Sequence, residues 1–222
     1  MTAYASPLAA TILGVPYPGV LSRVKRSSNH VALTFDDGPH PVATPAILGQ
    51  LQRLDMRATF FMVGCQAKRH PALVQEVAAA GHEIGSHGFR HLPHAALPPR
   101  CVKADLTRAD ALLEDILGQP VVHLRAPFGA ASLATVHYAH TTSRRLVAWS
   151  RWGYDWLPRQ EPRRLAQRVA GAARAGDILL LHDSDRYSAT GSWRSTLAAL
   201  AIVRALLDER NLQATAIADA CR

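Results

Sequence analysis

The chain has 222 residues, of which 48% are hydrophobic, so it can bury the core of one α/β domain and is close to the usual size of a single domain. Its formal net charge is +8, but nearly all of the 25 Lys and Arg residues are arginine, and they are scattered instead of forming a basic stripe with interleaved aromatics. This distribution disfavours a nucleic-acid partner and leaves an anionic cell-wall polymer or lipid open. The three cysteines are widely spaced and form no CxxC pair, so we expect free thiols and neither a disulfide framework nor a thiolate zinc site.

Residues 1–29 are rich in Pro, Gly and Ser and are interpreted as an extended lead-in to a single domain over 30–222. The apolar stretch from Pro7 to Val20 is interrupted by Gly and Pro, and no Lys or Arg precedes Arg23. The stretch therefore matches neither a signal peptide nor a membrane span. We expect a cytoplasmic protein without a transmembrane segment, unless an upstream export segment is missing or export follows another route.

From residue 30 onward, predicted strands and helices alternate. The first strand covers 30–35 and stops at Gly38 and Pro39, and the first helix covers about 44–54. Further strands are predicted at 58–64, 82–85, 121–124, 146–148, 177–181 and 213–217, and further helices at 71–80, 106–117, 132–142, 162–173 and around 197–207. The alternation predicts a single-domain α/β fold, a distorted (β/α) barrel of about seven parallel strands, with an open doubly wound sheet as the alternative.

Polar side chains follow the predicted strands, and in a barrel the carboxyl ends of the strands carry the chemistry. Two adjacent carboxylates, Asp36 and Asp37, are costly unless a cation or an arginine neutralises them. His87 and His91 are four residues apart and would share a face on one helical turn, although chance spacing or a capping role is the alternative among 11 histidines. One aspartate and these two imidazoles would leave positions open for water and substrate, as a hydrolytic zinc or other divalent site requires. The remaining polar groups in this series are Arg125, Asp155, His182 and Asp183.

Five motifs in order resemble those of the polysaccharide deacetylases that share the chitooligosaccharide deacetylase (NodB) homology domain, carbohydrate esterase family four. They are TFDDGP at 34–39, HGFRH at 87–91, RAPFG at 125–129, WSRWGYDW at 149–156 and LLHD at 180–183. The resemblance covers residues 30 to about 217, which makes 30–222 the expected catalytic domain. It implies a hydrolase that removes the acetyl group from an N-acetylated sugar.

The resemblance also implies a role for each charged residue. Asp37, His87 and His91 would hold a divalent metal, commonly zinc, with cobalt, manganese and nickel as alternatives. Asp36 would be the general base that takes a proton from the attacking water, and His182 the general acid that protonates the leaving amine.

Further residues would support these groups. Arg125 would pair with Asp36 and fix its direction, and Asp155 would raise the pKa of the His182 imidazole. The three residues implied to contact the substrate are Phe128 through its backbone N–H, and Trp156 and Leu180 around the acetyl methyl group. Core packing is the alternative for Trp156 and Leu180.

Three positions depart from the family pattern. Gly88 replaces the usual Ser or Thr, so a hydroxyl that would steady the loop from His87 to His91, here called the metal loop, is missing. Trp152 stands where many members have an aspartate, and Phe128 replaces Tyr. Because no ligand, base or acid is lost, we expect an active enzyme, with metal affinity softened and substrate choice in doubt. Asp183 and Asp185 are expected to anchor the loop after His182.

The expected partner is an N-acetylated glycan such as peptidoglycan or chitooligosaccharide, or a smaller glycoconjugate, and we expect a monomer. An O-acetyl esterase or a small-molecule amidase would use the same groups. A glycan-binding scaffold without turnover would be expected to have lost ligand or acid positions, which this sequence retains.

Overall fold

The computed structural model describes residues 19–24 and 29–221, so most of the predicted lead-in lies outside the described residues. Nine strands are described: β1 (Val20–Leu21), β2 (His30–Asp36), β3 (Thr59–Met62), β4 (Glu83–Ser86), β5 (His123–Leu124), β6 (Arg145–Val147), β7 (Arg151–Trp152), β8 (Ile178–His182) and β9 (Gln213–Thr215). The described helices are α1 (Ala43–Arg53), α2 (Gly64–Arg69), α3 (Pro71–Ala79), α4 (Pro99–Leu117), α5 (Leu133–Thr141), α6 (Pro162–Ala170), α7 (Trp193–Asp208) and α8 (Ile217–Ala220). Short 3-10 turns lie at His94–Ala96 and Pro127–Gly129.

The strands form one parallel sheet in the order β1-β6-β5-β4-β3-β2-β8-β7, and β9 pairs with the first residues of β2. From β2 to β6 each strand lies beside the strand that follows it in the chain, without the reversal of a doubly wound sheet. This order confirms the barrel-like prediction over the open alternative.

The chain between β6 and β7 connects the two ends of the sheet. The Ala148 N–H donates to the Leu21 carbonyl in β1, and the Ser150 N–H donates to the Ile178 carbonyl in β8, at 2.9 and 3.0 Å. Arg23 forms an isolated antiparallel bridge with Asp177 just before β8. These bonds curve the sheet into a distorted barrel.

Side chains alternate between the two faces of the curved sheet, as the period of two in a strand requires. Val31, Leu33 and Phe35 of β2 face outward into the large core shared with the helices, whereas Ala32 belongs to the smaller inner cluster. Thr34 and Asp36 follow the phase of Ala32, so the strand delivers a carboxylate to the inside of the barrel at its last residue. The outer core is completed by apolar stripes from α1, α3, α4, α6 and α7.

Most of the predicted elements are present, with boundaries shifted by a few residues. Four described elements were not predicted: β1 and β7, which have two residues each, α2 between β3 and α3, and α8 after β9. The predicted helix at 106–117 begins earlier, at Pro99, and the chain leaves the last strand at Thr215 to form α8. Two-residue strands leave too little sequence for a detectable alternation, so they escape periodicity analysis.

Cys65 and Cys101 are free, as predicted. Within the described part of the chain, we find no helix with both the length and the apolar character needed to span a bilayer.

Candidate active site

The predicted site residues meet at the carboxyl ends of five strands. Asp36 ends β2 and Asp37 follows it, while His182 ends β8. The remaining three groups come just after β4, β5 and β7, and they are His87, Arg125 and Asp155. His91 joins them from the loop after His87. All of these side chains except that of His182 belong to residues with 6% exposure or less, so the charges interact in a low-dielectric setting.

Asp37, His87 and His91 form a cluster whose donor atoms all lie within 4.8 Å of one another. The Asp37 Oδ1 atom lies 2.9 Å from Nε2 of His91 and 3.5 Å from Nε2 of His87. Ligand atoms around a tetrahedral zinc at about 2.0–2.1 Å are separated by roughly 3.3 Å, so these spacings match a shared ion. A carboxylate and two imidazoles are also the donor types that a divalent metal of this class takes.

The tautomer of His87 is set by its second ring nitrogen. Nδ1 lies 2.9 Å from the Arg125 carbonyl oxygen, which can only accept, so Nδ1 carries the hydrogen. Nε2 therefore presents its lone pair toward the carboxylates of Asp37 and Asp36, at 3.5 and 3.7 Å. The bond to the Arg125 carbonyl therefore orients the ring and leaves Nε2 available to bind a metal ion.

The two histidines do not share a helical turn, so that part of the sequence interpretation was wrong. The loop from His87 to His91 is irregular, and its approach to Asp37 depends on left-handed backbone at Gly88 (φ 70°) and His91 (φ 54°). Left-handed backbone is uncommon for a residue with a Cβ, and such conformations persist where the surrounding structure holds them. Asp37 shares this feature, with φ at 80°.

Asp105 of α4 anchors the metal loop. Its Oδ2 accepts a hydrogen bond from the Phe89 N–H at 2.7 Å, and its Oδ1 accepts from Arg90 Nε at 3.3 Å. A Cβ added to Gly88 would lie 2.8 Å from Oδ2 of the same carboxylate. The missing side chain at residue 88 thus gives Asp105 the room to reach the loop backbone.

Arg125 and Asp36 form a buried ion pair, as expected. Arg125 donates to Asp36 Oδ1 at 2.7 Å and to Thr34 Oγ1 at 2.8 Å, and its other terminal nitrogen donates to the Ala148 carbonyl at 3.0 Å. Its guanidinium also lies 4.1 Å from the centroid of the Phe61 ring. These contacts hold Oδ1 of Asp36 in place and leave its Oδ2 directed toward the cluster of Asp37, His87 and His91.

His182 is paired with Asp155 on the other side of the site. Its Nδ1 lies 2.8 Å from Asp155 Oδ1, while Asp155 Oδ2 accepts from the His182 backbone N–H at 2.7 Å and from Thr196 Oγ1 at 2.8 Å. Burial lowers the pKa of His182, but the charge and hydrogen bond of Asp155, with smaller contributions from Asp37 and Asp36, outweigh burial and raise this pKa to about 10. The imidazole is therefore held in its protonated form.

The carboxylates near the cluster have shifted pKa values of opposite sign. Burial raises the pKa of Asp37, but attraction to His91 and a hydrogen bond from that imidazole hold it well below its usual range. Burial and repulsion from Asp37 raise the pKa of Asp183 to about 7, against the hydrogen bond from Thr44 Oγ1 at 2.5 Å. That bond ties the loop after β8 to α1, as expected for an anchoring residue. Asp185 has a similar role, because its Oδ2 accepts from the Gly191 N–H at 2.6 Å.

The three predicted substrate-contacting residues surround the same charges. Phe128 is 43% exposed with φ at 58°, and its ring centroid lies 4.4 Å from that of His91. The Trp156 ring packs edge-on against His182 with centroids 5.4 Å apart. Leu180 lies two residues before His182 on β8, so both point into the barrel, and Leu180 is buried beneath the site.

Two residues at the site were missed by sequence reasoning. Tyr187 stacks on His91 and lies in the loop after β8, where the sequence analysis named only Asp183 and Asp185, as anchoring residues. Asp105 lies on the buried stripe of α4 with Val102, Leu106 and Ala109. A carboxylate at helical spacing among apolar residues was the available signal for Asp105, but the helix was predicted to begin one residue after it.

Comparison with known proteins agrees with the motifs and the fold. A sequence model of the polysaccharide deacetylase family matches residues 23–147. The chain is 35% identical to the chitooligosaccharide deacetylase of Azorhizobium caulinodans, over 86% of this chain and 94% of that protein. It is 32% identical to a peptidoglycan-N-acetylglucosamine deacetylase of Bacillus cereus, over 90% of this chain and 91% of that protein. The crystal structure of the Bc1960 peptidoglycan N-acetylglucosamine deacetylase has the same fold, with a TM-score of 0.84 at 24% identity over 91% of this chain and 92% of that one.

Proposed function

The chain belongs to the polysaccharide deacetylase family, and we propose that it is a metal-dependent hydrolase that removes the acetyl group from an N-acetylglucosamine-containing glycan. The observation that carries the proposal is the meeting of a metal-ligand cluster, an arginine-held carboxylate and a carboxylate-held imidazole at one end of the barrel. The similarity to chitooligosaccharide and peptidoglycan N-acetylglucosamine deacetylases supports the sugar.

Asp37, His87 and His91 are the residues that would hold the metal. We favour zinc because one carboxylate and two imidazoles with open positions are a common catalytic zinc set, although cobalt, manganese and nickel use the same donors. When bound, such an ion supplies a Lewis acid that makes water more acidic and polarises an acyl oxygen.

Asp36 is proposed as the general base. Arg125 occupies its Oδ1 at 2.7 Å, so Oδ2 is the atom available to take a proton from the attacking water. Arg125 keeps this carboxylate in one orientation while the water oxygen bonds to the acetamide carbon. Loss of the arginine would leave a buried carboxylate without its cation.

His182 is proposed as the general acid. Because Nδ1 is bonded to Asp155, Nε2 is the atom that can donate a proton to the amide nitrogen as the carbon–nitrogen bond breaks. The water proton passes to Asp36, the His182 proton passes to the leaving amine, and the products are acetate and a free amino sugar. The two carboxylates thus have different roles in one reaction: Asp36 accepts a proton, and Asp155 is the partner of His182, which donates one.

The backbone N–H of Phe128 is proposed to stabilise the developing oxyanion, since the left-handed conformation of this residue lies beside a metal ligand. Trp156 and Leu180 are proposed to enclose the acetyl methyl group. Their position next to His182 supports this assignment.

The test is acetate release from a substrate panel: N-acetylglucosamine oligomers, peptidoglycan fragments, acetylated xylan and non-sugar amides. We expect release from the N-acetylated sugars, its loss after metal removal with recovery on adding zinc, and a rate at least 100-fold lower for Asp36→Asn. Preferential release from acetylated xylan would favour an O-acetyl esterase, and preferential release from non-sugar amides would favour an amidase. Sugar binding without acetate release under any metal would favour a scaffold, and full activity of Asp36→Asn would refute the base assignment.

A further inference from the structure

Among the described residues, His91 finds no partner for the second hydrogen bond that normally orients a metal-binding imidazole. Its Nδ1 is buried and has no hydrogen-bond partner among the described residues, whereas Nδ1 of His87 contacts the Arg125 carbonyl oxygen at 2.9 Å. Metal-ligating histidines almost always donate this second N–H, and removal of the outer partner weakens metal binding. His91 also has an unfavourable left-handed backbone, so a different contact must orient its ring.

Tyr187 provides that contact. Its ring stacks on the His91 imidazole with centroids 4.0 Å apart and planes inclined by 17°. Phe128 contacts the same imidazole at 4.4 Å with a tilt of 59°. Stacked rings favour a limited range of relative orientations, so Tyr187 and Phe128 restrict rotation of the His91 imidazole, whose Nδ1 has no partner in the described part of the chain.

Tyr187 is itself held by helix α2. Gln66 Nε2 donates to the Tyr187 hydroxyl at 3.0 Å, and the Gln66 side chain is buried. The start of the same helix is bonded to the metal loop, since the Gly64 N–H donates to the Gly88 carbonyl and the Cys65 N–H to the Phe89 carbonyl, both at 2.9 Å. One short helix therefore positions both the backbone that carries His91 and the ring that covers it.

We propose that Tyr187, oriented by Gln66, is a positioning residue that fixes the His91 imidazole in the direction required for metal binding. The proposal rests on the metal site of the proposed function and extends it to a residue outside the five motifs. The aromatic ring is the active feature, and the hydroxyl serves only to place the ring.

The experiment measures zinc affinity directly, by competition with a chromogenic chelator, on the full chain and its variants. Tyr187→Leu removes the ring and should weaken zinc binding by about 10- to 100-fold. Tyr187→Phe keeps the ring and should bind zinc within about threefold of the wild type. Tyr154→Leu is the matched control, because Tyr154 lies near the site but packs edge-on against Trp152 and Trp156 instead of against a metal ligand. The zinc affinity of this variant should equal that of the wild type.

Melting temperatures of the metal-free proteins separate positioning from general stability. If Tyr187→Leu gives no cooperative melt, Tyr187→Met replaces it, since a flexible thioether fills the space without a planar ring. Wild-type zinc affinity in a folded non-aromatic variant would overturn the proposal, as would a loss in Tyr187→Phe equal to that in Tyr187→Leu.

The proposed function can fail independently of this test. Wild-type protein that binds no zinc would remove the metal site on which both proposals depend. Wild-type protein that binds zinc but releases acetate from no substrate would refute the deacetylase assignment, while the comparison of Tyr187 variants would still decide the positioning role.

Discussion

Replacement of Asp155 by Asn should move the alkaline limb of the pH–rate profile to lower pH. The His182 and Asp155 atoms that face each other are 2.8 Å apart, which corresponds to a Coulomb attraction of about 6 kcal/mol at an effective dielectric constant of 20. At 1.36 kcal/mol per unit this attraction is worth roughly four pKa units, and burial opposes it. Without the charge, the pKa of His182 should fall from about 10 toward or below its ordinary value of 6.5.

The assay is kcat/KM for acetate release measured from pH 5 to pH 11 with the wild type and Asp155→Asn. The amide oxygen of Asn can still accept the bonds that Asp155 Oδ2 receives from the His182 backbone and Thr196, so the loop should keep its shape. If the His182 pKa falls to about 6.5, the protonated fraction at pH 8 drops roughly 30-fold, and the rate should drop with it. Asp177→Asn is the matched control, because Asp177 is also a buried aspartate but precedes the first residue of β8, at the end of the strand away from His182.

The reasoning is refuted if Asp155→Asn keeps the wild-type alkaline limb, or if Asp177→Asn shifts it equally. Stability gives an independent check, because the folded-state pKa of His182 is raised above its unfolded value. The stabilisation from this pair should be fully present below pH 6.5 and lost as the pH rises toward 10. Urea unfolding of the metal-free proteins should show the difference between wild type and Asp155→Asn shrinking across this window.

Metal binding should stabilise the fold by about 2.7 kcal/mol at a zinc concentration 100 times the dissociation constant, and His91→Ala should show no such gain in urea unfolding at the same zinc concentration. Gly88→Ser, which restores the usual family residue, should lower the free energy of unfolding by about 1–3 kcal/mol without tightening zinc binding. The reason is that the new Cβ would meet the Asp105 carboxylate and that the backbone at residue 88 is left-handed. An increase in zinc affinity would contradict this view of the loop. Leu180→Ala should raise the rate on N-propionyl relative to N-acetyl substrates by about tenfold if Leu180 lines the acyl pocket. A loss of stability with an unchanged rate ratio would assign Leu180 to core packing alone.

The charged residues of the site were predictable because the ends of the strands can be recognised from the sequence. Apolar runs such as 30–35 and 177–181 stop abruptly at carboxylates or histidine, and in a parallel sheet all such ends meet at one edge. The motifs then gave each group an expected partner, and the Asp36–Arg125 and Asp155–His182 pairs are found in contact.

The backbone geometry of the metal loop could not be predicted from the sequence. The four-residue spacing of His87 and His91 is compatible with a helical turn, but left-handed backbone at Gly88 and His91 produces an irregular loop. What decides between the two is a tertiary contact, the carboxylate of Asp105 on the Phe89 N–H. Local spacing cannot report a partner that lies 16 residues away in the chain.

The stacking of Tyr187 on His91 escaped prediction for a similar reason. It depends on Gln66, a residue 121 positions earlier, in a helix too short to show periodicity. Contacts of this kind are specified by the packing of neighbouring loops, and no local pattern in either segment indicates them.

The separation between the proposed base and acid is a property of strand register. Asp36 and His182 are directly paired residues on the neighbouring parallel strands β2 and β8, both in the inward phase of their strands. A slip of one residue in either strand would turn its functional side chain into the outer apolar core, where Phe35 and Leu181 now lie. The apolar alternation that buries Leu33, Phe35, Leu179 and Leu181 outside the barrel therefore also fixes which residues can meet a substrate inside it. The register that packs the outer core is consequently the register that places the acid and the base. Substitutions that disturb the outer core of β2 or β8 should therefore impair catalysis even where they contact no site residue.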